Sequence, residues 1–177
     1  MVYLEEHREV GDGPEKAELL SQAHSEYSEH AMEDVKLARS LRDMGQELIS
    51  CHDVELAGSL LPKCDELERM ADALTGALDR RAQVLKLSKG MHEQILNVCA
   101  FSYLLIADIA SVADDNYYYN FYSVLQANNW CKRGVDLITN IPYDISPTCA
   151  VSALANMETF IAEGQCLKIE LLSMAKA

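Results

Sequence analysis

The groups in this 177-residue chain able to bind a metal, attack a substrate or move a proton are six cysteines, five histidines and 28 carboxylates. Their spacing argues against all three kinds of chemistry. The cysteines (Cys51, Cys64, Cys99, Cys131, Cys149 and Cys166) contain no C-x-x-C pair. His24 and His30 stand six apart, and Cys51 and His52 are adjacent, so no pair has zinc-ligand spacing. Thiols scattered in this way read as reduced, buried residues of a cytoplasmic protein rather than as disulfides. Asp65, Glu66 and Glu68 carry enough carboxylate for acid–base work, but their spacing gives ion pairs on a helix surface, such as Asp65 with Arg69 at i, i+4. No Ser/His/Asp array, Gly-rich phosphate loop or metal motif occurs. The sequence therefore reads as that of a non-enzyme, with no catalytic residue, no cofactor and no metal.

What the chain does space regularly is leucine and alanine. Between Leu56 and Ile95, Ala57, Cys64, Ala71, Leu78 and Leu85 recur every seven residues, and Leu60, Leu67 and Leu74 form a second row offset by three. This is the a/d pattern of a helix that lays a narrow apolar stripe on its neighbours. Leu60, Cys64, Leu67, Leu74, Leu78 and Leu85 are thus predicted core. From Glu15 to Ser50 a second heptad runs, with Leu20, Tyr27, Leu41 and Leu48 in one row and Ala17, Ala31, Ala38 and Gly45 in the other. His24 falls in the row of small residues and reads as a packed side chain. Val35 takes the place of Asp34.

At ~1.5 Å per residue the first of these helices is about 50 Å long, and it needs partners along its flank. The connection Cys51-His52-Asp53 is short, so the two helices are antiparallel neighbours, with Asp53 as N-cap. Pro62 predicts a separate turn over 54–61 or a kink in the opening turns.

Composition agrees with long helices. Apolar residues make up 49%, aromatic residues 7%, and there are four prolines and eight glycines. A formal charge of −13 does not suit a nucleic-acid backbone or an anionic membrane as primary partner. Residues 1–14 read as an acidic flexible tail without a secretory signal, closed by the breaker Gly11-Asp12-Gly13-Pro14, with Pro14 opening the first long helix.

The stretch 96–122 differs in composition. It holds three aspartates, no Lys or Arg, and the run Tyr117-Tyr118-Tyr119-Asn120-Phe121-Tyr122. Ile95–Ala113 is almost long enough to span a bilayer and follows Lys86 and Lys89, but Asp108 interrupts it, and no span is expected. Helical patterning returns with Val124, Ala127, Trp130, Val135, Leu137 and Ile138, and Asn140-Ile141-Pro142-Tyr143-Asp144 ends it. Ser146-Pro147 opens a last helix, with Ser146 as N-cap. Its rows are Ala150, Met157, Gly164 and Leu171, then Ala153, Phe160, Leu167 and Met174. Trp130 and Phe160 are predicted core.

Lys63-Cys64-Asp65-Glu66-Leu67 in a long helix, and Asn129-Trp130-Cys131-Lys132-Arg133-Gly134-Val135-Asp136-Leu137-Ile138, resemble spectrin repeats. More narrowly they are similar to those of the Trio, kalirin and Dbs group of Rho guanine-nucleotide exchange factors. The pattern Trp-Cys-x-x-Gly-x-x-Leu, then Pro142-x-Asp144 and Glu158-Thr159-Phe160-Ile161, carries most of the likeness. The resemblance implies three-helix coiled-coil bundles, incomplete at both ends. Residues 15–95 would be the second and third helices of one repeat, and 123–177 the first and second of the next. The segment 96–122 has no counterpart and is expected to be an insert foreign to the fold. The implied role is a cytoplasmic scaffold that binds protein partners in Rho signalling and lacks the exchange module. A spectrin- or actinin-type cytoskeletal linker is the alternative, and self-association through uncovered helix faces fits either.

Overall fold

The computed structural model describes residues 2–51, 54–109, 117–140 and 147–174. Its elements are α1 (Val2–Glu6), α2 (Pro14–Cys51), α3 (Val54–Ile109), α4 (Tyr117–Thr139) and α5 (Pro147–Met174). No strand occurs among the described residues, and the fold is an all-α bundle of long helices. Both α2 and α5 open on proline, where a missing N–H is harmless because first-turn N–H groups have no acceptor within the helix. Thr139 closes α4, and the Asn140 N–H and side-chain amide both donate to the Asp136 carbonyl, at 3.0 and 2.9 Å. The N-caps expected at Asp53 and Ser146, and the stretch Ile141–Asp144, lie outside the described residues.

The break or separate turn expected around Pro62 does not end the helix. Pro62 sits inside α3, exposed on its outer side. It removes one backbone donor, and packing along the opposite face holds the remaining turns in line.

The chain divides into two compact units, residues 1–9 with 19–83, and residues 10–18 with 84–177. In the first, α2 and α3 run antiparallel. His24 meets Leu78, Arg39 pairs with Asp72 at 2.9 Å, Arg42 pairs with Glu68, and Gly45 lies against Cys64, so partners on α3 fall in number as those on α2 rise. Tyr3 of α1 stacks on Tyr27 with ring centroids 3.6 Å apart, and Arg81 donates to the Glu9 carbonyl at 2.5 Å. The stretch read as an acidic tail thus contributes packed groups here.

The second unit is a three-helix bundle. Along α4 and α5, Trp130 faces Gly164 and Gly134 faces Phe160, an antiparallel pairing. The later part of α3 brings Ile95 to Gly134 and Cys99 to Cys131, antiparallel to α4. Gly90 lies near Ile161, and Lys168 sits over the Phe101 ring at 5.9 Å, so α3 and α5 run in the same direction. Val10 is buried in this core, and the Ser88 hydroxyl donates to its carbonyl at 2.8 Å.

The boundaries drawn at 95 and 122 fall inside α3 and α4. Val98 and Ser102 are buried, and Cys99 and Phe101 pack against the core of the second unit.

The buried row of α3 changes register inside the second unit, between Leu85 and Met91. Cys64, Ala71, Leu78 and Leu85 keep the seven-residue period, but the next buried apolar residue is Met91 rather than position 92, and Val98 follows Met91 by seven. A one-residue slip in a heptad rotates the stripe around the helix.

Candidate functional site

No group of three or more His, Cys, Asp or Glu side chains able to hold a metal ion occurs among the described residues. No helix is long and apolar enough to cross a membrane among the residues described.

Of the eight residues expected in the core, Cys64, Leu78, Leu85, Trp130 and Phe160 are buried, while Leu60, Leu67 and Leu74 are half-buried. The difference follows from position on the helix. Cys64 and Leu78 lie on the row of α3 that meets α2 directly, against Gly45 and His24, whereas Leu60, Leu67 and Leu74 lie at the margin of that helix pair. Arg69 pairs with Glu66 at i, i+3 and not with Asp65, since both spacings are neighbours on a helix surface.

The motif Trp130-Cys131-x-x-Gly134-x-x-Leu137 brings helices together. Trp130, Cys131 and Gly134 are buried and Leu137 is half-buried. The indole and the Phe160 ring stack with centroids 4.1 Å apart and planes 5° from parallel. That stack needs room on both sides. A Cβ on Gly134 would overlap Phe160 and lie 2.7 Å from Ile95 Cδ1, and one on Gly164 would overlap the indole. Two glycines facing two aromatic rings thus set how closely α4 and α5 approach.

His24 is packed as expected, 3% exposed. Its Nε2–H donates to the Leu78 carbonyl at 3.0 Å, with Ser28 Oγ 3.3 Å away, and Nδ1 finds no hydrogen-bond partner among the described residues. Burial holds its pKa below the usual histidine range; the Leu78 carbonyl opposes that shift and the nearby Arg81 charge adds to it. The neutral imidazole serves as a polar peg between α2 and α3.

Cys99 and Cys131 form a pair that sequence spacing did not reveal. Their sulfurs are 3.0 Å apart. Burial, and then the hydrogen bond and charge of the neighbouring Cys99 thiol, push the Cys131 thiol up to about 12. No C-x-x-C pattern marks them, because antiparallel helices bring together positions far apart in sequence. The available signal was that both lie on the inward faces of adjacent helices.

Among the described residues, the open surfaces include a stripe on α2 and a groove in the second unit. On α2, Leu37, Leu41, Met44 and Leu48 follow one another at +4, +3, +4 and are between 46% and 59% exposed. Met70 on α3 is 60% exposed. Leu41 and Leu48, read as a heptad row, thus lie beside the seam rather than in it. The buried positions of this helix are instead Ala17, His24 and Ala31, in the row of small residues, together with Val35. In the second unit a groove of about 640 Å³ runs between α4 and α5, lined by Asp136, Asn140, Ser152 and Asn156 and crossed by the Arg133–Glu163 ion pair at 2.5 Å. Nothing in it has the arrangement of a nucleophile with its base.

No family model, curated protein or solved structure matches this chain.

Proposed function

We propose that the chain is a non-catalytic helical interaction segment, of the spectrin-repeat kind that stands beside the exchange module in the Trio, kalirin and Dbs group, and that it serves Rho signalling by binding protein. The observation that carries this reading is the open stripe Leu37, Leu41, Met44 and Leu48. Four large apolar side chains in heptad register on a water-facing helix match the side chains of another helix and offer no chemistry to a substrate. The packing of Trp130, Cys131 and Gly134 supports the likeness, since each of these motif residues is buried where helices meet.

The occupant assigned to the stripe is a second copy of the chain. Spacings of +4, +3, +4 read the same from both ends. A two-fold related copy therefore sets Leu37 against Leu48 and Leu41 against Met44, and brings Lys36 towards Glu47. Together with Met70, the stripe offers roughly 500 Å² per copy and ~1,000 Å² in all, the lower end of what a specific interface buries. The dimer is accordingly a weak one, with a micromolar dissociation constant.

Sedimentation equilibrium tests this. The wild-type chain reaches a monomer–dimer equilibrium at micromolar concentration. Leu41→Glu with Met44→Glu leaves the helix content unchanged and abolishes the dimer. A wild-type chain that stays monomeric throughout removes the self-pairing. The non-catalytic reading has its own test: the chain alone leaves nucleotide release from a Rho GTPase at its basal rate, and acceleration would refute it.

A further inference from the structure

Cys99 on α3 and Cys131 on α4 are 32 residues apart in sequence, with their sulfurs 3.0 Å apart inside one compact unit. Cys131 is buried and Cys99 is half-buried. The Cys131 thiol also points to the Ile95 carbonyl of α3 at 3.8 Å, which keeps it turned towards Cys99. A disulfide sets its sulfurs about 2.05 Å apart. Closing the gap therefore takes about 1 Å, within reach of small side-chain rotations on two packed helices. Neither of the other free cysteines described offers this. Cys64 belongs to the other unit, where it packs against Gly45, and Cys166 is exposed on α5.

We propose that Cys99 and Cys131 are an oxidisable dithiol site, which a low-molecular-weight disulfide of the glutathione class converts into a covalent staple between α3 and α4. The half-exposed Cys99 reacts first. Its thiolate attacks one sulfur of the oxidant, the oxidant's S–S bond breaks, one glutathione leaves as thiolate, and Cys99 carries a mixed disulfide. Cys131 is the resolving thiol. Its proton passes to the departing thiolate, its sulfur attacks the Cys99 sulfur, and the second glutathione is displaced. Two protein thiols are oxidised by two electrons, and one small disulfide is reduced to two thiols. The raised pKa of Cys131 slows the closing step, and the proximity of the sulfurs offsets that by making attack intramolecular. The staple joins helices on the inner face of the bundle, so oxidation stiffens the second unit without adding a charge.

The sequence makes the test direct. No Lys or Arg lies between Lys89 and Lys132, so trypsin releases both cysteines, and no others, in one peptide spanning residues 90–132. After treatment of the folded chain with oxidised glutathione, this peptide is expected to be lighter by two hydrogens and to take up no alkylating agent at either cysteine. Dithiothreitol reverses both changes. The melting midpoint of the second unit is expected to rise by roughly 10 °C or more on oxidation, because the cross-link restricts the unfolded chain. In Cys131→Ser the same peptide retains one glutathione on Cys99, which marks Cys99 as the attacking thiol. Wild-type chain in which Cys99 stays free, keeps its glutathione, or is joined to any other cysteine overturns the proposal, and that readout needs no variant to fold.

Discussion

The Trp130 indole lies flat on the Phe160 ring, 4.1 Å centroid to centroid and 5° from parallel, with Gly134 and Gly164 backing the pair from the opposite helices. The stack joins α4 to α5 and fixes their spacing at the point where the Trp-Cys-x-x-Gly pattern occurs. Phe160→Ala removes one ring and leaves a cavity beside the other, at a cost of ~3–5 kcal/mol to the second unit. Trp130 is the only tryptophan. Its emission is therefore expected to shift to the red in this variant, alongside a lower denaturation midpoint.

Helix propensity and packing disagree about the glycines, and the disagreement has a sign. Exchanging Gly for Ala inside a helix stabilises it by ~1 kcal/mol when the methyl meets open space. At Gly76 the nearest atom to an added Cβ is the mobile end of Arg80, 3.2 Å away, so Gly76→Ala is expected to stabilise the first unit. At Gly134 the methyl would meet Phe160 and Ile95, and overpacking of ~1–3 kcal/mol exceeds the gain, so Gly134→Ala destabilises. Paired urea titrations decide between the two outcomes.

Protonation of His24 opposes the folded state. Its folded pKa lies below its unfolded value, chiefly through burial, with the Arg81 charge on α3 adding to the shift and the Leu78 carbonyl opposing it. Above about pH 6.5 both states hold a neutral ring and the contribution is fully present. As pH falls from there towards the folded pKa, the unfolded chain takes up a proton that the folded chain refuses, and stability is lost. Tyr3 on α1 and His7 just after it, with Tyr27 on α2, line the aromatic stack beside this ring. The urea midpoint is expected to drop between pH 7.5 and pH 5.5 in wild type and to drop less in His24→Gln.

Pro62 interrupts the hydrogen-bond ladder of α3 at an exposed position beyond the first turn. An interior proline costs a helix ~3 kcal/mol, part of which is returned by its stiffening of the unfolded chain. Pro62→Ala is therefore expected to raise the stability of the first unit by ~1–2 kcal/mol, measured as a higher melting midpoint.

Salt separates an apolar self-association from a charge-driven one. Each copy carries a net charge of −13, so pairing through the Leu37–Leu48 stripe brings together two acidic bodies. Raising ionic strength from about 0.05 to 0.5 M shortens the screening length to a few ångströms and tightens the dimer. Weakening under salt would mean that ion pairs hold the copies together instead of the leucines.

Much of the helical architecture was legible in residue order. The prolines at 14 and 147 start α2 and α5 where local chemistry places them, and α4 ends at Thr139, just before Asn140. The seven-residue rows of α3 identified Cys64, Leu78 and Leu85 as buried, because a helix's own geometry decides which residues share a face. Which face meets a neighbour depends on where that neighbour lies, and local pattern carries no such position. Hence Leu60, Leu67 and Leu74 are only half-buried, and Leu41 and Leu48 face water although they keep heptad spacing. The slip from Leu85 to Met91, the burial of Val98 and the meeting of Cys99 with Cys131 belong to the tertiary structure alone. Each is set by which helix lies alongside, and a rotation of one residue on a shared surface is invisible until that helix is in place.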